Sequence, residues 1–440
     1  MQDDTIFALA SAPGRAGVAV VRISGPQARA AVGALIAPEE LPAPRHAAVR
    51  ALYDPANGEL LDRGLVLLFA GPRSFTGEDV VELQVHGGTA VAGALLPALA
   101  RQPGLRPAEP GEFSRRAVLN GRLDLTQAEA VADLVAAETT AQRRQALRQL
   151  DGALGALYED WRQRLLSLLA RAEAEIDFPD EDVPDGLIAG ARPELEQLSV
   201  EIGGHLADGG RGERLRHGFY AVIVGPPNVG KSSLLNALAR RDAAIVSATA
   251  GTTRDVIEVH LELDGYPVIL ADTAGLRQAD DEIESEGVRR ARARAALADV
   301  TLVVGDATAP QDFLAALDEV GATALPVLNK GDLAPGVAAP TGGLVVSAKT
   351  GAGINTLVAA LAKRAGEGLA PGEAPALTRQ RHRLALETTV EALQRGLTAG
   401  ADELLVEDIR LAARALGRIT GRVDVEDVLD LIFADFCIGK

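Results

Sequence analysis

At 440 residues the chain is too long for one ordinary core, and two to four domains are expected. Hydrophobic residues make up 47% and charged residues 24%, which excludes a disordered chain, and a net charge of −17 argues against a general nucleic-acid binder, which needs clustered Lys and Arg. The single cysteine, Cys437, excludes an intramolecular disulfide and a multi-cysteine zinc site. Met-Gln-Asp-Asp at the start has neither the basic nor the apolar region of a secretory signal, and no apolar run reaches the roughly eighteen residues of a membrane span. A soluble, cytoplasmic protein with no membrane partner is expected.

Residues 1–118 mix strands with helices. Gly17 to Ile23 and Gly64 to Phe69 are strand-like, and Asp79 to Val85 alternates as a half-buried strand does. Helical patterns cover Ala28 to Leu35 and Val91 to Arg101. An α/β or α+β domain fits. From 119 the pattern turns to long helices. Thr126-x-x-Glu129 reads as a capping box, a helix runs from Ala153 to Ile176, and helical pattern resumes from Pro193 to Leu206. Asp208-Gly-Gly-Arg-Gly212 reads as a hinge, Gly366 to Pro375 as a linker, and Thr378 to Thr398 and Glu403 to Leu416 as two more helices. Two basic clusters, Arg143-Arg144…Arg148 and Arg379-Gln-Arg381-His-Arg383, read as solvated helix faces in preference to nucleic-acid patches. The expected division is 1–118, a helical domain from 119–215 with 370–440, and an inserted nucleotide domain at 216–369.

Gly225 to Ser232, G-P-P-N-V-G-K-S, is a complete phosphate-binding loop between an apolar strand pattern (Phe219 to Val224) and a helical one. Its glycines let backbone N–H groups turn around phosphate oxygens, and the helix N-terminus adds positive potential. Lys231 would reach the β- and γ-phosphates and the Ser232 hydroxyl Mg²⁺. Ser247-Ala-Thr-Ala-Gly-Thr-Thr-Arg-Asp255 follows as a switch-type loop, in which Thr253 or Thr252 could supply a second hydroxyl to Mg²⁺. A hairpin around Asp264-Gly265 then delivers Asp272-Thr-Ala-Gly275, with Asp272 holding Mg²⁺ through water and the Gly275 N–H meeting the γ-phosphate. Asn329-Lys-Gly-Asp332 and Ser347-Ala-Lys349 follow two further strands, and the Asp332 carboxylate can accept both N–H groups of guanine's edge. Five motifs in this order specify a GTP domain with a mostly parallel, helix-flanked sheet. The expected GTP-contacting positions are Asn228, Val229, Gly230, Lys231, Ser232, Ser233, Ser247, Ala248, Thr249, Ala250, Gly251, Thr252, Thr253, Asp272, Thr273, Ala274, Gly275, Asn329, Lys330, Asp332, Ser347, Ala348 and Lys349.

Leu276 stands where Ras-like enzymes carry a water-orienting glutamine, so hydrolysis needs another route. Asn228 could help hold a monovalent cation that neutralises charge at the β–γ bridge, and a carboxylate of Asp280-Asp-Glu-Ile-Glu284 could position the water.

Gly14 to Gly25 (G-R-A-G-V-A-V-V-R-I-S-G), Ser74 to Gln84 (S-F-T-G-E-D-V-V-E-L-Q), Pro110-Gly-Glu-Phe-Ser114, Ile176-Asp-Phe-Pro179 and Phe436-Cys-Ile-Gly-Lys440 complete a pattern over essentially the whole chain. With the nucleotide motifs, it closely resembles the MnmE (TrmE) family of tRNA modification GTPases, among the TrmE-Era-EngA-Septin-like GTPases. The resemblance implies an N-terminal α/β domain that binds a tetrahydrofolate derivative (5-formyl- or methylene-tetrahydrofolate) and drives homodimerisation, a central helical domain, and an inserted Ras-like P-loop G domain. It implies a GTPase that acts in a heterotetramer with an FAD-dependent partner, MnmG (GidA). Together they add a carboxymethylaminomethyl (or aminomethyl) group to carbon 5 of the wobble uridine of certain tRNAs, with folate as one-carbon donor. Hydrolysis of GTP to GDP then requires K⁺ and pairing of two G domains.

By motif, the resemblance places Asn228 and Thr252 side chains with Ser247 and Thr249 carbonyls on K⁺, and Ser232 and Thr253 on Mg²⁺. It selects Glu284 as the catalytic, water-orienting residue and puts Arg22, Glu82, Arg122 and Lys440 on folate. Arg122 departs from the family's usual lysine, which keeps the charge but changes donor geometry. From the residues alone, Arg22 would be an edge charge on a strand, Glu82 an outward strand residue, Lys440 a frayed end and Cys437 either a reactive thiol or a small buried residue. A ribosome-assembly GTPase, the rival reading, would append a basic RNA-binding module, whereas this chain is acidic.

Overall fold

A computed structural model describes residues 4–177, 186–240, 257–272, 298–311, 313, 317, 323–339, 341–370, 372, 375–423, 429, 432–433, 436 and 439. The chain divides into two compact units, one of Met1–Val135, Gln149–Ser199 and Ala385–Lys440, the other of Ala136–Arg148 and Val200–Leu384.

The first unit contains a six-stranded sheet of β1 (Thr5–Leu9), β2 (Val18–Ser24), β3 (Ala47–Tyr53), β4 (Leu60–Phe69), β5 (Val80–His86) and β6 (Leu105–Pro107), in the order β3-β4-β5-β2-β1-β6. All pairings are antiparallel except β1 with β6. Strand alternation sorts the faces. Ala19, Val21 and Ile23 of β2 and Val81, Leu83 and Val85 of β5 enter a core with Val32 and Leu35 of α1 (Ala28–Ile36) and Leu95 and Leu99 of α2 (Thr89–Ala100). Arg22 of β2, directly opposite Glu82 of β5, therefore lies on the other face, where Ile6 and Ala8 of β1 cluster with Phe113 of α3 (Glu112–Leu119) and Phe75.

The helical part of this unit includes α4 (Leu125–Ala136), α6 (Ala153–Asp177), packed along α12 (Asp402–Thr420), and segments of α5 (Thr140–Leu150), α7 (Leu187–Leu206) and α11 (Gln380–Thr398). Two sequence expectations are corrected. The capping box of α4 is Asp124-x-x-Gln127, not Thr126-x-x-Glu129. Asp124 Oδ1 accepts the Gln127 amide at 2.8 Å and Gln127 Oε1 accepts the Asp124 amide at 3.0 Å, while Thr126 sits inside the first turn, its hydroxyl donating to Asp124. Secondly, α7 begins at Leu187 and carries Pro193 within it, because Ile188, Ala191, Leu195, Leu198 and Ile202 form one buried helical stripe across the proline. Near the C-terminus Phe433 and Phe436 meet edge to face at 4.9 Å and join Leu125 and Ala128 in one cluster. Gly111, at φ 69°, opens α3 against these residues, where an added Cβ would come within 2.9 Å of the Phe433 ring and of the Phe436 Cβ.

The second unit holds β7 (Phe219–Val224), β8 (Ile257–Leu263), β9 (Tyr266–Asp272), β10 (Val300–Asp306), β11 (Ala324–Asn329) and β12 (Leu344–Val345) in the order β12-β11-β10-β7-β9-β8. Pairings are parallel except in the β8–β9 hairpin, turned by Asp264 (φ 51°) and Gly265 (φ 85°) as a type I′ turn demands. Leu234 and Leu238 of α9 (Lys231–Ala239) and Leu357 and Leu361 of α10 (Ile354–Leu369) cover this sheet. The expected hinge is more ordered than its glycines suggest. Asp208 Oδ1 accepts the Gly210 amide at 2.7 Å, and a short helix, α8 (Arg211–His217), follows at once. Likewise α10 runs through Gly366 and Gly368 of the expected linker, because Gly368 lies against the Phe219 ring and Leu369 is buried.

Candidate nucleotide site and the cluster on the N-terminal sheet

The phosphate loop leaves β7 at Gly225, whose φ of 146° and close approach to β10 admit no side chain: a Cβ would lie 2.1 Å from the Val304 carbonyl oxygen. Asn228 is exposed in the left-handed region (φ 65°), and Gly230 (φ 92°) opens α9. Lys231, nearly buried, donates Nζ to the carbonyls of Gly225 and Pro226, each at 2.8 Å, so its ammonium lies within the curl of the loop. Ser232 Oγ donates to Asp272 Oδ2 at 2.7 Å. A hydroxyl and a carboxylate one hydrogen bond apart fit a hydrated Mg²⁺ held by the serine directly and by the aspartate through water. Val229 is buried beneath the loop and Ser233 is exposed on the first turn of α9.

The Asn329–Asp332 and Ser347–Lys349 motifs lie against this loop. Buried Asn329, at the end of β11, donates Nδ2 to the Val229 carbonyl at 2.9 Å and accepts the Ala348 amide at Oδ1, 3.0 Å. One amide thus ties the phosphate loop to the Ser347–Lys349 segment. Ser347 Oγ donates to Asp332 Oδ1 at 2.6 Å and accepts the Thr350 amide at 3.1 Å. Asp332 and Lys349 are exposed.

Lys330, at φ 63°, forms a 2.6 Å ion pair with Asp306, a residue the motif analysis missed. Burial favours the neutral acid, but the Lys330 ammonium and the hydroxyl and amide of Thr308 hold the Asp306 carboxyl down at about 2. An acid ending the strand beside the N-K-x-D strand was the available signal, since Asp306 is in register with Asn329. Ser247, Ala248, Thr249, Ala250, Gly251, Thr252, Thr253, Thr273, Ala274, Gly275, Leu276 and Glu284 lie outside the described residues, as do Cys437 and Lys440.

On the N-terminal sheet Arg22 donates through Nε and Nη2 to Glu82 Oε1, both at 2.9 Å, and its guanidinium stands over the rings of Phe75 and Phe113 at 5.4 and 5.7 Å. The loop bearing Phe75 is tied down. Thr76 Oγ1 and Glu78 Oε2 each lie 2.7 Å from the buried Ser24 hydroxyl, the Asn120 side-chain amide donates to the Thr76 carbonyl at 2.7 Å, and the buried Arg116 pairs with Glu78 at 3.2 Å and Asp4 at 2.8 Å. Burial would lift the Glu112 carboxyl, but Arg106, the Glu109 amide and Arg116 hold it below its ordinary value. Arg122 packs against Gly77 of the same loop, its Cγ 3.2 Å from the position of an added Cβ. Gly439 approaches the Leu9 carbonyl of β1, one register step from the Ala8–Arg22 pair. Of the four expected folate residues, Arg22 and Glu82 are in direct contact and Arg122 lines the adjoining loop.

The family model described as the GTP-binding protein TrmE N-terminus matches residues 5–122, and that of the MnmE helical domain matches residues 125–437. The chain belongs to the MnmE family of tRNA modification GTPases. It is 58% identical to the tRNA modification GTPase MnmE of Parvibaculum lavamentivorans, over 99% of this chain and 100% of that protein. The MnmE proteins of Rhodospirillum rubrum (57%, all of both chains) and Paramagnetospirillum magneticum (58%, 99% of this chain and all of that one) are similarly close. As in the sequence expectation, the fold combines an N-terminal sheet domain, a helical domain and a nucleotide-binding sheet. Among the described residues no helix is long and apolar enough to cross a membrane, and no cluster of three His, Cys, Asp or Glu could hold a metal.

Proposed function

We propose that this MnmE-family GTPase is a K⁺-dependent GTP hydrolase. With an FAD-dependent partner, MnmG (GidA), it adds a carboxymethylaminomethyl group to carbon 5 of the wobble uridine of certain tRNAs, drawing the one-carbon unit from a tetrahydrofolate derivative. The observation that carries it is the convergence of Lys231, Ser232 with Asp272, and Asn329 with Ala348 around one phosphate loop. Asn228 supports the cation role: it is exposed on that loop, and no hydrogen bond to its side chain is made among the described residues. A bound K⁺ supplies positive charge at the β–γ bridge, where a glutamine-lacking site needs it. Asn228 with Thr252, Ser247 and Thr249 would hold it, Ser232 and Thr253 would hold Mg²⁺, and Glu284 would orient the water. Arg22, Glu82, Arg122 and Lys440 would hold the folate, and the Glu82 carboxylate, paired with an arginine that stands over two aromatic rings, suits the N–H edge of a pterin. A homodimer, joined to MnmG as a heterotetramer in the cytoplasm, is part of the same proposal.

GTP turnover in K⁺ against Na⁺ tests it. Wild type is expected to be at least about tenfold faster in K⁺, roughly 1.4 kcal/mol in the barrier, and Asn228→Ala to lose that advantage while still binding GDP. Equal wild-type rates in the two salts would remove the cation mechanism.

A further inference from the structure

We infer that the outer face of α5 docks the phosphate backbone of the RNA on which the complex acts. This rests on the tRNA-directed reading above. From Thr139 to Leu150 the chain has Arg143, Arg144 and Arg148 and no acidic residue, within a protein of net charge −17. At 3.6 residues per turn, positions 143, 144, 147 and 148 share one side of the helix, and all four are exposed. The opposite side is pinned. Ala146 is buried, Gln142 donates to the Arg216 carbonyl at 3.1 Å, Gln145 donates to the Gly212 carbonyl at 3.0 Å, and the Ala141 amide donates to the Gly265 carbonyl at 2.9 Å. The helix therefore cannot roll its arginines inward. Exposed Arg211, beside Gly212, extends the basic row.

Neighbouring charges do not neutralise the row. Glu138 pairs with His260, and Glu262 accepts the Thr140 amide. Arg214 and Arg383 pair with Asp299 and with Asp208 and Glu213. Among the described residues Arg143, Arg144 and Arg148 have no carboxylate at ion-pair distance, and Arg144 and Arg148 repel each other one turn apart. A polyanion relieves that repulsion, and guanidinium forks match phosphate oxygens bidentately. No aromatic residue lies between Thr139 and Leu150, so the face offers no platform for stacking bases. It is built for backbone contacts, which position an RNA without reading its sequence.

The test uses the full chain and an end-labelled tRNA transcript, with binding followed by fluorescence anisotropy from about 50 to 200 mM KCl. Replacing all three arginines (R143Q/R144Q/R148Q) is expected to reduce the slope of log affinity against log salt by about two, and the affinity by about tenfold or more. GTP turnover should be unchanged, which also reports an intact fold. Unchanged affinity and slope would overturn the inference, as would a wild type that does not bind the transcript at about 50 mM salt. So would a variant that binds RNA normally but loses an FAD-dependent partner, since the face would then serve an acidic protein. Failure of the underlying functional reading is seen separately, as unaltered wobble-uridine nucleosides in tRNA from cells lacking the gene.

Discussion

Asn329→Asp exchanges one nitrogen for oxygen at the joint between the phosphate loop and the base-binding segment. The new side chain keeps the acceptor for the Ala348 amide but places a second acceptor 2.9 Å from the Val229 carbonyl, where the wild type donates. The site is only 2% exposed, so water does not replace the lost proton. An orphaned buried carbonyl costs about 1–3 kcal/mol, and an unpaired buried carboxylate adds to that. A total of at least about 2 kcal/mol corresponds to about 4–8 °C in the melting midpoint for a unit of this size. Burial would raise the pKa of the introduced acid, and its neutral form can donate to Val229 again. The folded protein then binds the proton more tightly than the unfolded chain, so the deficit is largest at neutral pH and shrinks in acid. Thermal unfolding at about pH 8 and pH 5, each referenced to wild type, measures this. An unchanged midpoint, or a deficit that grows in acid, would refute the proposed tie.

Two further substitutions probe the same region. Gly225→Ala forces a Cβ to within 2.1 Å of the Val304 oxygen at a φ of 146° and should cost at least about 3 kcal/mol and nucleotide affinity with it; wild-type GDP binding by this variant would contradict the packing described. Asp306→Asn should remove up to about 2 kcal/mol, trimmed to about 1 by solvent screening of a partly exposed pair. Because the folded carboxyl sits at about 2, below its ordinary 3.8, the wild-type advantage is full above pH ~4 and is lost as pH falls toward 2; a denaturation difference that is flat across that range would count against the ion pair.

The phosphate loop and the following hairpin were legible because each needs particular backbone geometry at particular places: Gly225 and Gly230 where no side chain fits, Asp264-Gly265 where a hairpin demands positive φ. Contacts across strands were less legible. Nothing local to Asp306 announces that Lys330 will fold onto it; only the pairing of β10 with β11 brings them together. The capping error at α4 has a similar origin, since Asp124-x-x-Gln127 and Thr126-x-x-Glu129 overlap and both satisfy the spacing, and only coordinates show which oxygen meets which amide. Glycine composition misled twice: Gly209-Gly210 lead straight into α8, and Gly366 and Gly368 lie inside α10, chosen for closeness to aromatic rings rather than for freedom. On the N-terminal sheet strand alternation gave the face of Glu82, but Arg22 is no edge charge, because β2 is paired on both sides by β5 and β1, and the rings of Phe75 and Phe113 that frame the arginine come from a loop and a helix distant in sequence.

The cluster of Leu125 and Ala128 with Leu429, Phe433 and Phe436 joins α4 to the C-terminal segment across the whole nucleotide unit in sequence. During synthesis the apolar face of α4 emerges early and waits, while the intervening nucleotide unit has every strand it needs before the aromatic partners leave the ribosome. Loop closure over so long a span is slow compared with the local pairings inside the nucleotide sheet. The inserted unit can therefore pair its strands before the helical scaffold that surrounds it in sequence is able to close. Until then Leu125 and Ala128 lack the aromatic partners that bury them in the finished fold.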